Sequence, residues 1–296
     1  MFSKNASARR RQSEVLQVER ETINERYLGL PVYVAPSKMK TLSYLKDRIL
    51  QRIQGWKEKL LSRAGKEIMI KVVAQAIPTF AMGCFDLTKN LCDQISKMIG
   101  RYWWSQQDKE NKIHWIRWDV LTKAKSKGGL GFRDIYAFNM AMLAKQGWRL
   151  LTDPTFLCAR VLKSKYYPDV SCLEARARSG ISYTWRNILM GLDLVKKGMV
   201  CRVGDGHDIR VWDDPWIPRG STRKPITPKG RNLITRVADL IDPITNTWDH
   251  ELLCQTFWDE DVRVIESITV HVDMEDVIAW HFDIKGRFSV RSAYKV

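Results

Sequence analysis

Nowhere in its 296 residues does the chain carry an uninterrupted apolar run approaching the roughly 20 residues a membrane-spanning helix needs. C-x-x-C pairs are absent too, since the six cysteines (Cys84, Cys92, Cys158, Cys172, Cys201 and Cys254) lie scattered. A zinc module needs closely spaced ligands so that two thiolates reach one tetrahedral ion. None of the five histidines stands at a compensating spacing. A secretory apolar segment, which would favour disulfides, is missing as well. The expectation is a soluble protein without a membrane association, a metal site or a cofactor, its thiols reduced and mostly buried.

Acidic residues are also scarce. Lys and Arg number 49 against 33 Asp and Glu, for a net charge of +16. Residues 1–231 hold 43 of those bases and 21 of the acids, an excess of +22, which leaves −6 for residues 232–296. Such an excess attracts a polyanion, usually nucleic acid, though a well-solvated surface accounts for it equally. Apolar residues make up 45% of the chain and twelve are Trp. That supports a packed core and excludes general disorder.

Along the chain, an Arg triplet (Arg9, Arg10, Arg11) lies in a basic, acid-free start that superficially fits a mitochondrial transit peptide but lacks a strong apolar face. Ser37 should cap a helix whose apolar stripe is Met39, Leu42, Leu45, Ile49, Leu50, Ile53 and Trp56, ending at Gly55. Ser62 should cap a second, burying Ile68, Met69, Val72, Val73 and Ala76, with Arg63, Glu67 and Lys71 opposite and Lys66 at the border. Pro78 closes it. A third aligns Leu91, Ile95, Met98 and Tyr102. Further helices are expected over about Asp134–Leu151 and Thr184–Gly198, with short ones near Val237 and Glu251. Met199–Val203 and Ile209–Trp212 flank Gly204-Asp205-Gly206-His207, a hairpin signal that predicts pairing of those two segments. Trp280–Val296 should form a hairpin running into a helix start. The loop Pro215–Arg231, rich in Pro, Gly and basic residues, reads as a domain boundary.

A series of phrases in fixed order resembles the LINE-type (non-LTR) reverse transcriptases of plants. They are Phe2-Ser3-Lys4-Asn5, Tyr27-Leu28-Gly29, Leu61-Ser62-Arg63-Ala64-Gly65-Lys66, Ile77-Pro78 and Trp103-Trp104. They continue through Lys127-Gly128-Gly129-Leu130-Gly131-Phe132-Arg133-Asp134, Ala144-Lys145-Gln146-Gly147-Trp148-Arg149-Leu150, Lys165-Tyr166-Tyr167-Pro168, Arg202-Val203-Gly204-Asp205-Gly206 and Trp212-Asp213-Asp214-Pro215-Trp216. The last is Gly286-Arg287-Phe288-Ser289-Val290-Arg291-Ser292-Ala293-Tyr294. The middle of the chain also resembles an uncharacterised plant mitochondrial reading frame derived from such elements. The resemblance implies the region after the polymerase palm, up to the opening of the family's zinc-binding module.

The succession of expected helices and the one hairpin signal predict a mainly α fold with at least one small β hairpin. Residues 1–36 are expected as a palm-end remnant, 37–105 as a thumb-like helical unit and 106–230 as a connection helical unit with the hairpin. Residues 231–296 are expected as an acidic α+β tail entering the truncated zinc module. Because the family's polymerase carboxylates precede the Phe2–Asn5 phrase, the chain is expected to be non-enzymatic. The adjacent pair Asp213-Asp214 is followed at once by Pro215 and reads as an exposed strand end before a turn.

The candidate contacts to RNA, DNA or a hybrid are three. Tyr27, Leu28 and Gly29 resemble a turn that steadies the primer end. Arg63, Lys66 and Lys71 lie on a helix that tracks a duplex as a thumb does. Lys123, Lys125 and Lys127 stand beside Trp115 and Trp118, which are themselves expected in the core. His207 is expected to be exposed and inert. The competing expectation is a decayed or repurposed product acting as a protein-interaction scaffold, through surfaces exposed by truncation. A third is an enzyme continued upstream. The family resemblance implies the nucleus as compartment.

Overall fold

The computed structural model describes residues 26–31, 38–57, 61–105, 113–220 and 222–296. The Phe2–Asn5 phrase, the arginine triplet with its transit-peptide reading, and the Ser37 cap lie outside them. The fold is mainly α with small two-stranded sheets. No helix among the described residues is long and apolar enough to cross a membrane. Two compact units form, one drawn from Met1–Ala81 and Leu87–Tyr136, the other from Met82–Asp86 and Ala137–Val296.

The first unit opens with a hairpin, β1 (Arg26–Tyr27) against β2 (Leu30–Pro31). Helices α1 (Lys38–Leu42), α2 (Tyr44–Lys57), α3 (Arg63–Met69) and α4 (Lys89–Trp104) follow. The α2 stripe is buried at Leu45, Ile49, Ile53 and Trp56 and packs on α4 through Leu91, Ile95, Ile99 and Tyr102. Each such side chain contributes about 1.5–3 kcal/mol relative to exposure. Leu50, expected inside, is 38% exposed at the edge of the stripe, and α2 runs through Gly55 to Lys57.

Helix α3 is capped as expected, Ser62 Oγ accepting from Gly65 N at 3.2 Å. Its orientation reverses the expected one. Ile68 and Val72 are 59% and 66% exposed, Ala76 is exposed, and Ile70 and Ala74 are buried instead. Met69 and Val73 of the expected face are half-buried, while the stripe of Lys66, Ile70 and Ala74 turns inward, with Arg63 at its exposed end. The reason is electrostatic. The last carbonyls of α4 lack intrahelical partners and carry the negative end of its dipole, and Arg63 and Lys66 reach them. A wide π turn at Ile70–Ala74 then seats Ile70 and Ala74 in the core.

The second unit contains α6 (Ile135–Thr152) from Ala137 on, which follows a single turn, α5 (Trp118–Leu121), of the first unit. Then come α7 (Leu157–Tyr166) and α8 (Tyr183–Gly198). Helices α6 and α8 cross so closely that a Cβ on Gly191 would lie 2.4 Å from the Leu143 carbonyl carbon. Only glycine fits that crossing. Strand β3 (Met199–Arg202) does not pair with Ile209–Trp212. Its partner is β6 (Val277–Trp280), in the register Met199↔Trp280.

The expected hairpin fails because the Asp276 carboxylate gathers the loop. It accepts from Gly204 N at 2.7 Å, Gly206 N at 3.0 Å and Asp208 N at 2.9 Å. Ile209–Val211 leaves this loop to exchange backbone bonds with Thr235–Val237. The same choice removes the hairpin expected within Trp280–Val296. A short helix, α11 (Val290–Ala293), still starts there under a Ser289 cap.

The loop Pro215–Arg231 runs inside the second unit, with Trp216 and Ile217 buried. It is held by helix α10 (Asp259–Glu266), which follows strands β4 (Ile241–Asp242) and β5 (Thr247–Trp248) and helix α9 (His250–Thr256). A 3₁₀ turn at Val237–Leu240 and α9 stand where short helices were expected.

Candidate nucleic-acid interface

The Tyr27-Leu28-Gly29 segment forms the tip of the β1–β2 hairpin. Its two-residue turn has φ of 51° at Leu28 and 80° at Gly29. Two positive φ values in succession define the mirror-image turn that matches strand twist, in which glycine is at home and leucine is strained by about 1 kcal/mol. Tyr27 and Leu28 project from the tip, 71% and 73% exposed. The Arg26 guanidinium lies 4.3 Å from the Tyr44 ring centre and ties the hairpin to α2.

Arg63, Lys66 and Lys71 are engaged within the first unit. Arg63 donates to the Trp103 carbonyl and spreads over the Trp103 and Trp104 rings at 5.4 and 5.6 Å. Lys66 donates to the Ser105 carbonyl at 2.6 Å and sits 5.0 Å from the Tyr102 ring. Burial, then the neighbouring Arg63 charge, draws its ammonium below the usual lysine range. Lys71 donates to the Leu130 carbonyl and to Glu67, both at 2.6 Å.

Lys125 pairs with the same Glu67 at 3.0 Å, and hydrogen bonds from Lys71 and Lys125 hold that carboxyl below its ordinary value. The sign follows. A carboxyl lowered by folding stabilises above its unfolded value and loses that contribution as the pH falls through the folded one. Glu67→Gln should therefore melt below the parent at neutral pH. The two melting temperatures should converge as the pH falls below about 4, measured by circular dichroism.

Lys123, Lys125 and Lys127 stand on a loop that the glycines turn back on itself. Gly128 has φ of 77°, and a Cβ on Gly129 would strike the Lys123 carbonyl oxygen at 2.0 Å. The return brings Phe132, 1% exposed, under the Trp118 ring at 5.1 Å, nearly parallel. The lysines face outward. Of the two tryptophans expected in the core, Trp118 packs while Trp115 is 77% exposed.

Beside them is a cleft of about 400 Å³ lined by Lys97, Arg101, Trp104, His114, Ile116 and Trp118, with Asp93 and Ser96 also on its wall. The His114 ring lies 6.2 Å from Trp104, 25° from parallel. Gly100 lies against the Trp118 ring, where a Cβ would sit 3.4 Å from it. Sequence reasoning missed Lys97, Arg101 and His114 as site residues. The signal was present for two of them. Lys97, Arg101 and Trp104 stand at i, i+4 and i+7, on the outer face of α4. Chemically, the cleft combines cations for phosphate with ring faces for bases.

Other carboxylates are spent on structure. Asp214 accepts from Arg210 N, Nε and a terminal nitrogen at 2.8, 3.2 and 3.1 Å. Asp213 is exposed in the same turn.

Over 143 residues, 48% of this chain and 93% of the relative, the sequence is 42% identical to the uncharacterised mitochondrial protein AtMg00310 of Arabidopsis thaliana. The chain belongs to that protein's family. A second relative from the same plant, named "Putative ribonuclease H protein At1g65750", is 30% identical over 281 residues. That match takes in 90% of this chain and 44% of the relative, so the chain spans less than half of the longer protein. No family model matches the chain.

Proposed function

We propose that this family member is a non-catalytic segment of a LINE-type reverse transcriptase that binds single-stranded RNA or DNA on its first unit. The observation that carries the reading is the cleft in which Lys97 and Arg101 share one wall with Trp104, His114 and Trp118. Charge tracks a backbone while aromatic faces stack bases without regard to sequence. The exposed Trp115 and the outward Lys123, Lys125 and Lys127 extend that surface. The longer relative's name, which includes ribonuclease H, fits an origin in a retroelement. The ordered phrases from Tyr27-Leu28-Gly29 to Gly286–Tyr294 support the LINE type in particular.

The non-catalytic reading is supported by where the acids go. Asp214 is bound to Arg210, Asp261 to Arg219, and Asp276 to backbone amides. Two-metal phosphoryl transfer needs carboxylates free to converge on two ions about 4 Å apart. Primer extension with this chain, Mg²⁺ and a primed template should yield no product.

The binding test is fluorescence anisotropy with a labelled single strand. Binding near 50 mM salt should weaken with a log–log slope of about −3.5, as five phosphate contacts from Lys97, Arg101, Lys123, Lys125 and Lys127 require on a single strand. His114→Ala and Trp115→Ala should each cost about 1–3 kcal/mol of affinity without changing the circular dichroism spectrum. Absence of salt-sensitive binding would refute the reading.

A protein partner is favoured by one observation: Ile68 on α3 and Val72 on the π turn that follows it leave an apolar strip in solvent. If the nucleic-acid test fails, this strip becomes the surface to pursue.

A further inference from the structure

Apart from the basic cleft, the second unit carries a chain of three reactive groups on its α9–α10 pair. Glu266 Oε1 lies 2.6 Å from His250 Nδ1, and on the far side of the same ring His250 Nε2 lies 3.6 Å from Cys254 Sγ. His250 and Cys254 stand one turn apart on α9, and Glu266 closes α10. A carboxylate at Nδ1 favours the tautomer that carries its proton there, which leaves the Nε2 lone pair facing the thiol. The ring and the sulfur are open to solvent: the His250 side chain is 70% exposed and Cys254 is exposed. Because Glu266 and Cys254 address opposite nitrogens of one ring, the three cannot converge on a single metal ion. The arrangement is that of a nucleophile, its base and an orienting acid.

The other cysteines differ. Burial pushes the Cys84 and Cys172 thiols up, and burial with the charges of Asp214 and Asp276 pushes Cys201 up to about 12. Cys92 is buried. Cys158 is exposed on α7 and has no hydrogen-bonded histidine.

We infer that Cys254 is a thiol–disulfide exchange site that takes a low-molecular-weight disulfide and becomes a mixed disulfide. His250 Nε2 accepts the thiol proton as Sγ attacks one sulfur of the incoming disulfide. The S–S bond of that molecule breaks as the new one forms. The leaving thiolate carries away the electron pair and takes the proton from the His250 imidazolium. Cys254 is oxidised and the departing half is reduced, so no further oxidant is needed.

The test exposes the full chain to oxidised glutathione at neutral pH and follows each cysteine by peptide mass spectrometry. Cys254 should be modified at least about 10-fold faster than the exposed Cys158, which serves as the control within the same molecule. His250→Ala should bring Cys254 down to the Cys158 rate, and Glu266→Ala should lower it to a lesser degree. Both substitutions are at solvent-accessible side chains, and continued protection of the buried Cys92 and Cys172 verifies that the fold persists. Equal rates at the two cysteines, or a Cys254 rate unmoved by both substitutions, would overturn the inference.

Discussion

Asp261→Ala is expected to destabilise the second unit by about 3–5 kcal/mol, seen as a lower urea midpoint. Asp261 is fully buried in the first turn of α10 and accepts from Thr227 N at 2.8 Å, Thr227 Oγ1 at 2.6 Å and Ile226 N at 3.2 Å. It also pairs with Arg219 at 2.7 Å, whose side chain is only 15% exposed. Alanine removes every acceptor at once and leaves a guanidinium unpaired out of water. The cost is that of the stranded groups rather than of the contact itself. Removing the stranded charge as well, in Arg219→Ala/Asp261→Ala, should recover part of the loss. A double variant no more stable than Asp261→Ala would count against the stranded charge as the main cause.

Trp185→Ala should cost a similar amount, about 3–5 kcal/mol. The indole is 1% exposed and stacks with two tyrosine rings nearly parallel to it, Tyr166 at 5.1 Å and Tyr167 at 5.3 Å. Tyr166 continues the construction by donating its hydroxyl to Ser182 Oγ at 2.9 Å, and Ser182 caps α8. Loss of the indole therefore opens a cavity and loosens a helix start together. A spectroscopic readout accompanies the stability loss. Burial holds the Tyr167 phenol well above the ordinary tyrosine value, so uncovering it should bring its ionisation, followed by ultraviolet absorbance, to lower pH. An unchanged titration would show that Trp185 is not what shields it.

The second prediction touches a phrase that carries the family resemblance, Lys165–Pro168, and several other phrases show in the same way what they encode. Tyr166 and Tyr167 stack with Trp185. Asp214 is locked to Arg210, and Trp216 donates to the Val211 carbonyl at 2.9 Å. Gly128 and Gly129 turn the chain so that Phe132 reaches Trp118. The phrases specify packing and turns; the cleft of the first unit is lined largely by residues between them, among them Lys97, Arg101 and His114. That is why a reading centred on motifs proposed Arg63 and Lys66 for phosphate, two cations that fold back onto α4.

Local chemistry was sufficient for much of the architecture. Apolar spacing announced α2 and α4, and Ser62 announced the start of α3, because side chains three and four apart share a face and a hydroxyl can satisfy an orphan amide whatever lies beyond. What only the tertiary structure decided was partnership. The α3 stripe that turns inward was chosen by carbonyls nearly 40 positions further along, at Trp103 and Ser105. The mate of β3 was chosen by Asp276, about 70 positions away, which gathered the Gly204–Asp208 amides and left β3 to pair with β6. Unsatisfied backbone groups have no sequence signature of their own partner; which charge answers them depends on what folding brings alongside.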